Sequence, residues 1–332
     1  MIKEFFIVQN FRLEELLEEM LFNEKARGIS QKTIKKHQKF LKLFFEFLKK
    51  EQIYFIEDVT PKSIRQFMLH KLEEGCAETY VNSHLRSIRA YFKYCVDEDY
   101  IRYDRNPCMR VKWVKERKVI IQTFNDMEIK EMLKVAKKLT FFKPQRMDKK
   151  HTGYQTRFTN QRDYLLLLIL VDTGLRINEV MNLRDIHISN KEIFVENGKG
   201  KKDRIVHCSP LIYKEYLKYR RVANNFFAYN EIENIEDYVF LTREGKHYNY
   251  ILAERAIVKT GNQCKIRKSI RVSPHSFRHY FAQKLVRNGT DIYRIQKLLG
   301  HASIKTTEVY LRSLNIEDEI SNAVNFSPLQ TI

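Results

Sequence analysis

Apolar side chains return every three or four positions along most of the first hundred residues, a period that predicts four amphipathic helices. Residues 12–26 set Leu13, Leu16, Leu17, Met20 and Leu21 on one stripe. Ser30 is a capping residue ahead of a second helix of about twenty residues, which carries Ile34, Leu41, Phe44, Phe45 and Leu48. Thr60-Pro61 joins a capping hydroxyl to a proline at the first helical position, where no N–H is needed, and opens a helix through Ile64, Phe67, Met68 and Leu72. After Gly75 the pattern returns over residues 78–97 with Val81, Leu85, Ile88, Tyr91 and Phe92.

The period is lost over residues 104–122, which contain Asn106-Pro107 and gather Arg110, Lys112, Lys115, Arg117 and Lys118. Residues 106–122 therefore read as a basic linker between a helical domain at 1–105 and a second domain at 123–332. Thr123 is the expected cap for a helix Asn125–Lys138. Residues 141–161 are polar, basic and aperiodic, an insertion or loop ahead of an apolar helix at 162–172. EIFVE at 192–196 and RIVHC at 204–208 are β-branched runs, and the NGKGKKD between them predicts a hairpin turning at Asn197-Gly198. Residues from about 210 to 325 read as helices. The expected fold class is mainly α with a small β-hairpin, in two domains, the second of mixed α/β type.

Composition supports a packed, helical protein. Of 332 residues, 43% are hydrophobic, with 22 Phe and 18 Tyr, while only 6 Pro and 10 Gly interrupt the helices. Charge adds a partner. The net +19 is uneven: residues 1–112 hold 21 basic against 17 acidic side chains, so +15 belongs to residues 113–332. An excess of this size favours a polyanion, because each phosphate neutralised releases condensed counterions. On the polar faces of the first helices Lys35, Lys36, Lys39, Arg86, Arg89 and Lys93 could grip DNA phosphates, as could Arg110, Lys112 and Lys115 of the linker; a solvated helix face fits the same positions. The five cysteines are far apart with no C-x-x-C pair, which speaks against a zinc site or a disulfide framework and for a reducing cytosol. Acidic residues come too early in MIKEFFIVQNFRLEELLEE for a signal peptide. The longest apolar run, Leu165–Val171, is too short to cross a bilayer. A cytoplasmic protein without a membrane partner is expected.

Three blocks in the second half carry residue types suited to phosphate chemistry. In the first, Thr173-Gly174-Leu175-Arg176-Ile177-Asn178-Glu179, Gly174 permits a sharp turn that would set Arg176 at a helix N-terminus. Free N–H groups there favour an anion, and a planar guanidinium can hold two phosphate oxygens at once. Glu179 lies on the same face, so an i,i+3 surface ion pair fits the spacing equally well. In the second block, Ser273-Pro274-His275-Ser276-Phe277-Arg278-His279, a serine cap and a first-turn proline present His275 and Arg278 together. That spacing is common on its own. In the third, Leu298-Leu299-Gly300-His301-Ala302-Ser303-Ile304-Lys305-Thr306-Thr307-Glu308-Val309-Tyr310, Gly300 ends a helix and places His301 just beyond it. Ser303 or Thr306 then caps a short helix presenting Tyr310, one tyrosine among 18 with nothing local to single it out.

The order of the blocks singles it out. An arginine corner, then His-x-x-Arg, then Leu-Gly-His with a tyrosine nine residues later resembles the catalytic signature of the tyrosine recombinase (phage integrase) family, of the Xer and integrase kind. The likeness extends to a lysine hairpin at Gly198-Lys199-Gly200 and, in architecture alone, to the first hundred residues, which look like the family's SAM-like core-binding domain. The resemblance implies that Tyr310 attacks the scissile phosphate and forms a 3′-phosphotyrosyl link, leaving a free 5′-hydroxyl. Arg176 and Arg278 would clamp the non-bridging oxygens, Lys199 would protonate the departing 5′-oxygen, His275 would assist proton transfer at the tyrosine, and His301 would hydrogen-bond the phosphate. Glu179 would support the site from behind. The hairpin also holds Lys201 and Lys202, and only the family pattern selects Lys199.

The residue set suits that chemistry. A phenol with a pKa of about 10 needs a base or a strong positive field to attack at neutral pH. Fixed cations stabilise the charge that builds on the phosphoryl oxygens. A covalent link conserves the phosphodiester energy, so neither ATP nor a metal or other cofactor is expected. The resemblance further implies double-stranded DNA with specific inverted-repeat sites, a homotetramer on DNA (monomer or dimer when free), a Holliday-junction pathway, and accessory DNA-bending or directionality factors. The length of 141–161 favours a mobile-element integrase or transposon recombinase over the Xer branch, which resolves chromosome or plasmid dimers. The tail after Tyr310, with Leu311, Leu314, Ile316, Ile320 and Val324, would pack on a neighbouring subunit or fold back on its own core. Two rivals are a DNA-binding regulator that keeps the fold without the chemistry and a type IB topoisomerase that shares the chemistry. Competent residues at every site position argue against the first. The separate N-terminal helical domain and the tail argue against the second.

Overall fold

The computed structural model describes residues 10–117, 122–141, 150–196, 203–301 and 303–311, with the backbone alone described at 150–152, 305 and 309–311. The chain forms two compact units, divided between Val119 and Ile120.

The first unit contains the four helices its periodicity predicts: α1 (Leu13–Ala26), α2 (Gln31–Lys50), α3 (Pro61–Glu73) and α4 (Glu78–Asp97). Ser30 accepts a hydrogen bond from the Thr33 N–H at 3.3 Å, and Thr60 and Ser63 cap α3 reciprocally. The apolar stripes meet in one core where Leu41, Phe44, Leu48, Ile64, Phe67, Val81, Leu85 and Ile88 are fully buried. Tyr91 is buried with them and donates its hydroxyl to the Leu13 carbonyl at 3.0 Å, so its polar end costs little there.

Most of the stretch expected as a linker is built onto this unit. Cys108 and Val111 enter the core. Asn82 clamps the backbone beyond them, donating from Nδ2 to the Val114 carbonyl and accepting from its N–H, both at 2.9 Å, and Nδ2 reaches Glu116 at 2.7 Å. Trp113 lies beside two guanidinium groups, with Arg89 4.2 Å and Arg86 5.8 Å from its ring centre. The sequence shows no period here because the segment docks through single side chains and not through a repeating face.

In the second unit α5 (Asp126–Thr140) is capped by Asn125, which exchanges hydrogen bonds with Glu128. Thr123, the expected cap, instead donates its hydroxyl to the Ser276 carbonyl at 2.7 Å. A larger correction concerns residues 141–161. Helix α6 runs from Lys150 to Thr173, so residues 150–161 are helical and only 142–149 lie outside the described residues. Polarity hid the helix. Phe158 is fully buried and lies parallel to Phe226 at 4.7 Å, while the buried polar neighbours find distant partners: Gln161 donates to Glu215 at 2.7 Å and Arg162 to the Leu241 carbonyl at 3.0 Å. Beyond them Leu165 to Leu170 are buried on every side, and α5, α8 (Pro210–Tyr229) and α10 (Pro274–Arg287) pack around α6.

After the short α7 (Ile177–Met181) come strands β1 (Glu192–Val195) and β2 (Arg204–His207), antiparallel with Val195 opposite Arg204. Residues 197–202, the place of the expected turn with Lys199, Lys201 and Lys202, lie outside the described residues. The expectation of helix throughout 210–325 fails at residues 230–249. There Val239, Phe240 and Leu241 are buried in a non-helical run that bridges Leu241 to His247 around a turn at Gly245 (φ +74°). Helices α9 (Tyr250–Gly261), α10, α11 (Ile292–Leu299) and α12 (Ile304–Leu311) follow; the tail after Leu311 lies outside the described residues. Among the described residues no helix is long and apolar enough to cross a membrane.

The Asn82 clamp makes a local prediction. Asn82→Ala strands the Val114 N–H and carbonyl at a local cost of about 1–3 kcal/mol. Limited trypsin digestion should then cut at Lys112, Lys115 and Arg117 faster than in the parent protein, with helical circular dichroism unchanged.

Candidate active site

Three sequence-distant segments meet at the carboxyl end of α11. Gly174 follows α6 in a left-handed turn (φ +59°), where a Cβ would collide with the Phe281 ring. This close approach brings Arg176 against α10 and α11. The α7 helix that follows is only five residues long, and the Arg176 N–H is taken by Glu179 Oε2 at 2.8 Å. Arg176 is thus positioned by the Glu179 carboxylate and by backbone carbonyls at the end of α11, and not by an anion-binding helix end. Its Nη1 donates to Glu179 Oε1 at 2.8 Å, and its Nη2 to the Gly300 carbonyl at 3.1 Å.

Arg278 comes from the first turns of α10, where Ser273 accepts from the Ser276 N–H and Pro274 holds the first helical position. It is buried, donating from Nη1 to the Gly174 carbonyl at 2.8 Å and from Nη2 to the Leu299 carbonyl at 2.6 Å. One guanidinium therefore fastens the first block to the third. Helix α11 ends on Gly300 in the left-handed conformation (φ +63°), and the His301 N–H returns to the Gln296 carbonyl at 3.1 Å. His301 is buried with Nδ1 2.9 Å from the Thr307 hydroxyl, so its ring is held by α12, the helix that carries Tyr310. The Tyr310 side chain lies outside the described residues.

A third arginine completes the group. Arg204, the first residue of β2, donates from Nη1 and Nη2 to the two Glu179 oxygens at 3.1 and 2.8 Å, and from Nε to the Leu298 carbonyl at 3.2 Å. Neither Arg204 nor Thr307 stands out in the sequence. For Arg204 one signal was available. It shares a strand face with buried Val206, and a charge on the core face of a strand requires a partner.

Electrostatics follow from this crowding. Burial pushes the Glu179 carboxyl up, but hydrogen bonds from Arg204 and the Arg176 backbone, with the Arg204 charge, outweigh it and hold the pKa below the ordinary value. His275 keeps a solvent-accessible edge, yet the protein around it, then the charges of Arg278 and Arg176, push its pKa below the ordinary 6.5. Burial, His275 and Arg278 push the adjacent His279 down to about 4. His275 is therefore neutral at pH 7, able to accept a proton. Among the described residues no group of three or more His, Cys, Asp or Glu is placed to hold a metal ion.

Arg176, Glu179, Arg278 and His301 are thus brought together, with His275 within the field of both arginines. The expected DNA-binding residues all belong to the first unit. Lys35, Lys36, Lys39, Arg110, Lys112 and Lys115 are exposed, Arg86 and Arg89 lie beside Trp113, and Lys93 pairs with Asp97 at 2.6 Å.

Comparison with known proteins identifies the family. Residues 122–316 match the model of the phage integrase family, and residues 15–99 match that of the phage integrase N-terminal SAM-like domain. The chain is 29% identical over 286 residues to the tyrosine recombinase XerC of Thermodesulfovibrio yellowstonii, covering 86% of each chain. In fold it is similar to the Tn1549 transposon integrase in complex with a circular intermediate DNA (TM-score 0.66, 16% identity, 95% of this chain and 99% of that one). It is also similar to a lambda integrase tetramer bound to a Holliday junction (TM-score 0.64, 16% identity, 92% and 80%).

The histidine assignment is open to direct measurement. In an NMR titration of the free protein with labelled histidine, the His275 signal, identified by its loss in His275→Gln, should titrate below pH 6.5. Removing the cation in Arg278→Ala should move that midpoint upward, because the protonated ring then escapes one like charge.

Proposed function

We infer the reaction from one premise: this chain belongs to the phage integrase family and is a tyrosine recombinase, an enzyme of site-specific recombination. The observation that carries the reading is the convergence of Arg176 and Arg278 on the Leu299–Gly300 turn, beside His275 and His301.

In the proposed reaction the Tyr310 oxygen attacks the scissile phosphorus while the bond to the 5′-oxygen breaks. The phenolic proton passes to a neutral acceptor, for which His275 has the right protonation state. Arg176 and Arg278 hold the non-bridging oxygens, which gain charge in the transition state. His301, fixed by Thr307, donates to the phosphate. A proton from Lys199 completes the 5′-hydroxyl. The product is a 3′-phosphotyrosyl link, and attack on it by the 5′-hydroxyl of another strand reverses each step. The energy of the phosphodiester is kept in the protein–DNA bond, so the cycle needs no ATP, and cationic side chains supply the charge that a metal would otherwise bring.

The partner is double-stranded DNA carrying inverted-repeat sites, engaged by a tetramer that exchanges strands through a Holliday junction. The likeness in fold to a lambda integrase tetramer solved on a Holliday junction and to a transposon integrase solved with a circular intermediate DNA supports this, as does the +19 charge. The exposed Lys35, Lys36, Lys39, Arg110, Lys112 and Lys115, with Arg86 and Arg89 beside Trp113, offer the first unit's contacts to the phosphates. Recombination of a mobile element is the role carried forward, although the helical course of residues 150–161 removes part of its support. The likeness to XerC favours a second role, resolution of chromosome or plasmid dimers. Mapping the covalent adduct on genomic DNA separates the two: element ends indicate the first, a single chromosomal or plasmid site the second.

With a nicked suicide substrate on a denaturing gel, the wild-type chain should form a covalent adduct that Tyr310→Phe abolishes, while DNA affinity stays within about threefold. A DNA-binding regulator would give no adduct from either chain, and a type IB topoisomerase would relax any supercoiled plasmid without paired sites. Lys199→Ala should slow cleavage, and a 5′-bridging phosphorothioate, whose sulfur leaves without a proton, should restore it. Rescue of Lys201→Ala instead would transfer the acid's role to that lysine.

A further inference from the structure

We propose that Arg204 is a positioning residue whose charge neutralises Glu179 and thereby leaves the charge of Arg176 to the phosphate. The inference rests on the reading of Arg176 as a phosphate clamp.

The geometry at Glu179 is saturated. Oε1 accepts from Arg176 Nη1 at 2.8 Å and Arg204 Nη1 at 3.1 Å; Oε2 accepts from the Arg176 N–H and from Arg204 Nη2, both at 2.8 Å. Two arginines share one carboxylate, but not alike. Arg204 lays the two-pronged edge of its fork on both oxygens, the geometry of the strongest carboxylate pairing, whereas the Arg176 side chain meets one oxygen and sends Nη2 to the Gly300 carbonyl. Both Arg204 and Glu179 have nearly dry side chains, 12% and 6% exposed, so their attraction is little screened.

Charge accounting then gives the function. A buried carboxylate facing Arg176 alone would bind it as its only counter-ion, and a phosphate would have to compete with Glu179 for that guanidinium. With Arg204 present the Arg204–Glu179 pair is neutral as a unit, and Arg176 is oriented by Glu179 without being cancelled by it. The space for Arg204 is built in. A Cβ on Gly300 would stand 3.0–3.1 Å from its Nη1, Cζ and Nε, so the guanidinium lies flat on the turn that leads to His301. Its Nε also holds the Leu298 carbonyl, which ties β2 to the end of α11. A contact that only stabilised the fold would not require the compensating charge to fall on the carboxylate that orients Arg176.

Single-turnover cleavage of a suicide substrate, with DNA affinity and melting temperature measured in parallel, tests the proposal. Arg204→Gln should cut the cleavage rate on the order of 10²-fold, with DNA affinity changed less than about threefold, because Arg176 is drawn onto an unbalanced carboxylate. Adding Glu179→Gln removes the opposing charge and should restore at least about tenfold of the loss. Arg204→Lys, which keeps the charge without the fork, should stay within about tenfold of wild type and covers the case in which Arg204→Gln does not fold. The proposal is overturned if the double variant is no faster than Arg204→Gln, or if Arg204→Lys is as slow as Arg204→Gln while both melt like the parent. Arg176→Ala separates the two levels: if it cleaves normally, the clamp reading fails, whereas a slow Arg176→Ala beside a fully active Arg204→Gln sinks the Arg204 inference alone.

Discussion

The carboxyl end of α11 presents three successive carbonyls to three arginines: Leu298 accepts from Arg204, Leu299 from Arg278 and, at 3.5 Å, from Arg176, and Gly300 from Arg176. A helix C-terminus leaves such carbonyls without intrahelical partners and carries partial negative charge, so it is a natural seat for cations. Here it gathers guanidiniums from β2, from α10 and from the turn between α6 and α7. Desolvating several like charges side by side is unfavourable unless acceptors surround them. The α11 carbonyls, the Gly174 carbonyl and the Glu179 carboxylate are those acceptors. The site's geometry depends on this one constraint, because without it the three segments have no reason to converge.

Two glycines make the convergence possible, each for a separate steric reason. At Gly174 the Phe281 ring occupies the place of a side chain, and at Gly300 the Arg204 guanidinium does. Both residues also stand at positive φ, so a side chain would be strained by the backbone as well as by its neighbours. The sequence blocks that contain them are therefore short and tolerate few alternatives, which is why a string of residues could point to a three-dimensional site.

What could be read from the sequence follows the same division. Caps and stripes were legible: Ser30, Thr60-Pro61 and the leucine and phenylalanine spacing fix the first unit's helices to within a residue or so. The arginine corners and the Leu-Gly-His block were legible by their order. What escaped was whatever depended on a distant partner. Residues 150–161 look like loop because they are polar and aperiodic, and a distant partner such as Glu215, which accepts from Gln161, is what allows burial in a helix there. Thr123 looks like a cap until Ser276 claims its hydroxyl. The stretch around Trp113 looks like a linker because its attachment runs through Asn82, Arg86 and Arg89 one residue at a time. Arg204 reads as one more basic residue of the hairpin until Glu179 is seen to face it.

The division of labour among the arginines bears on how such a site can be fast. A phosphoryl transition state is stabilised most by charges that need no rearrangement when it forms. Arginine side chains are long, and left in solvent they would lose rotamer freedom on meeting a phosphate. Anchoring each guanidinium to backbone carbonyls meets that ordering cost during folding. Anchoring has its own hazard, since a carboxylate strong enough to orient an arginine is strong enough to cancel it. For Arg278 the Gly174 and Leu299 carbonyls supply orientation through dipoles. Arg176, held by a full negative charge at Glu179, needs a second cation on that carboxylate, and β2 supplies it at Arg204.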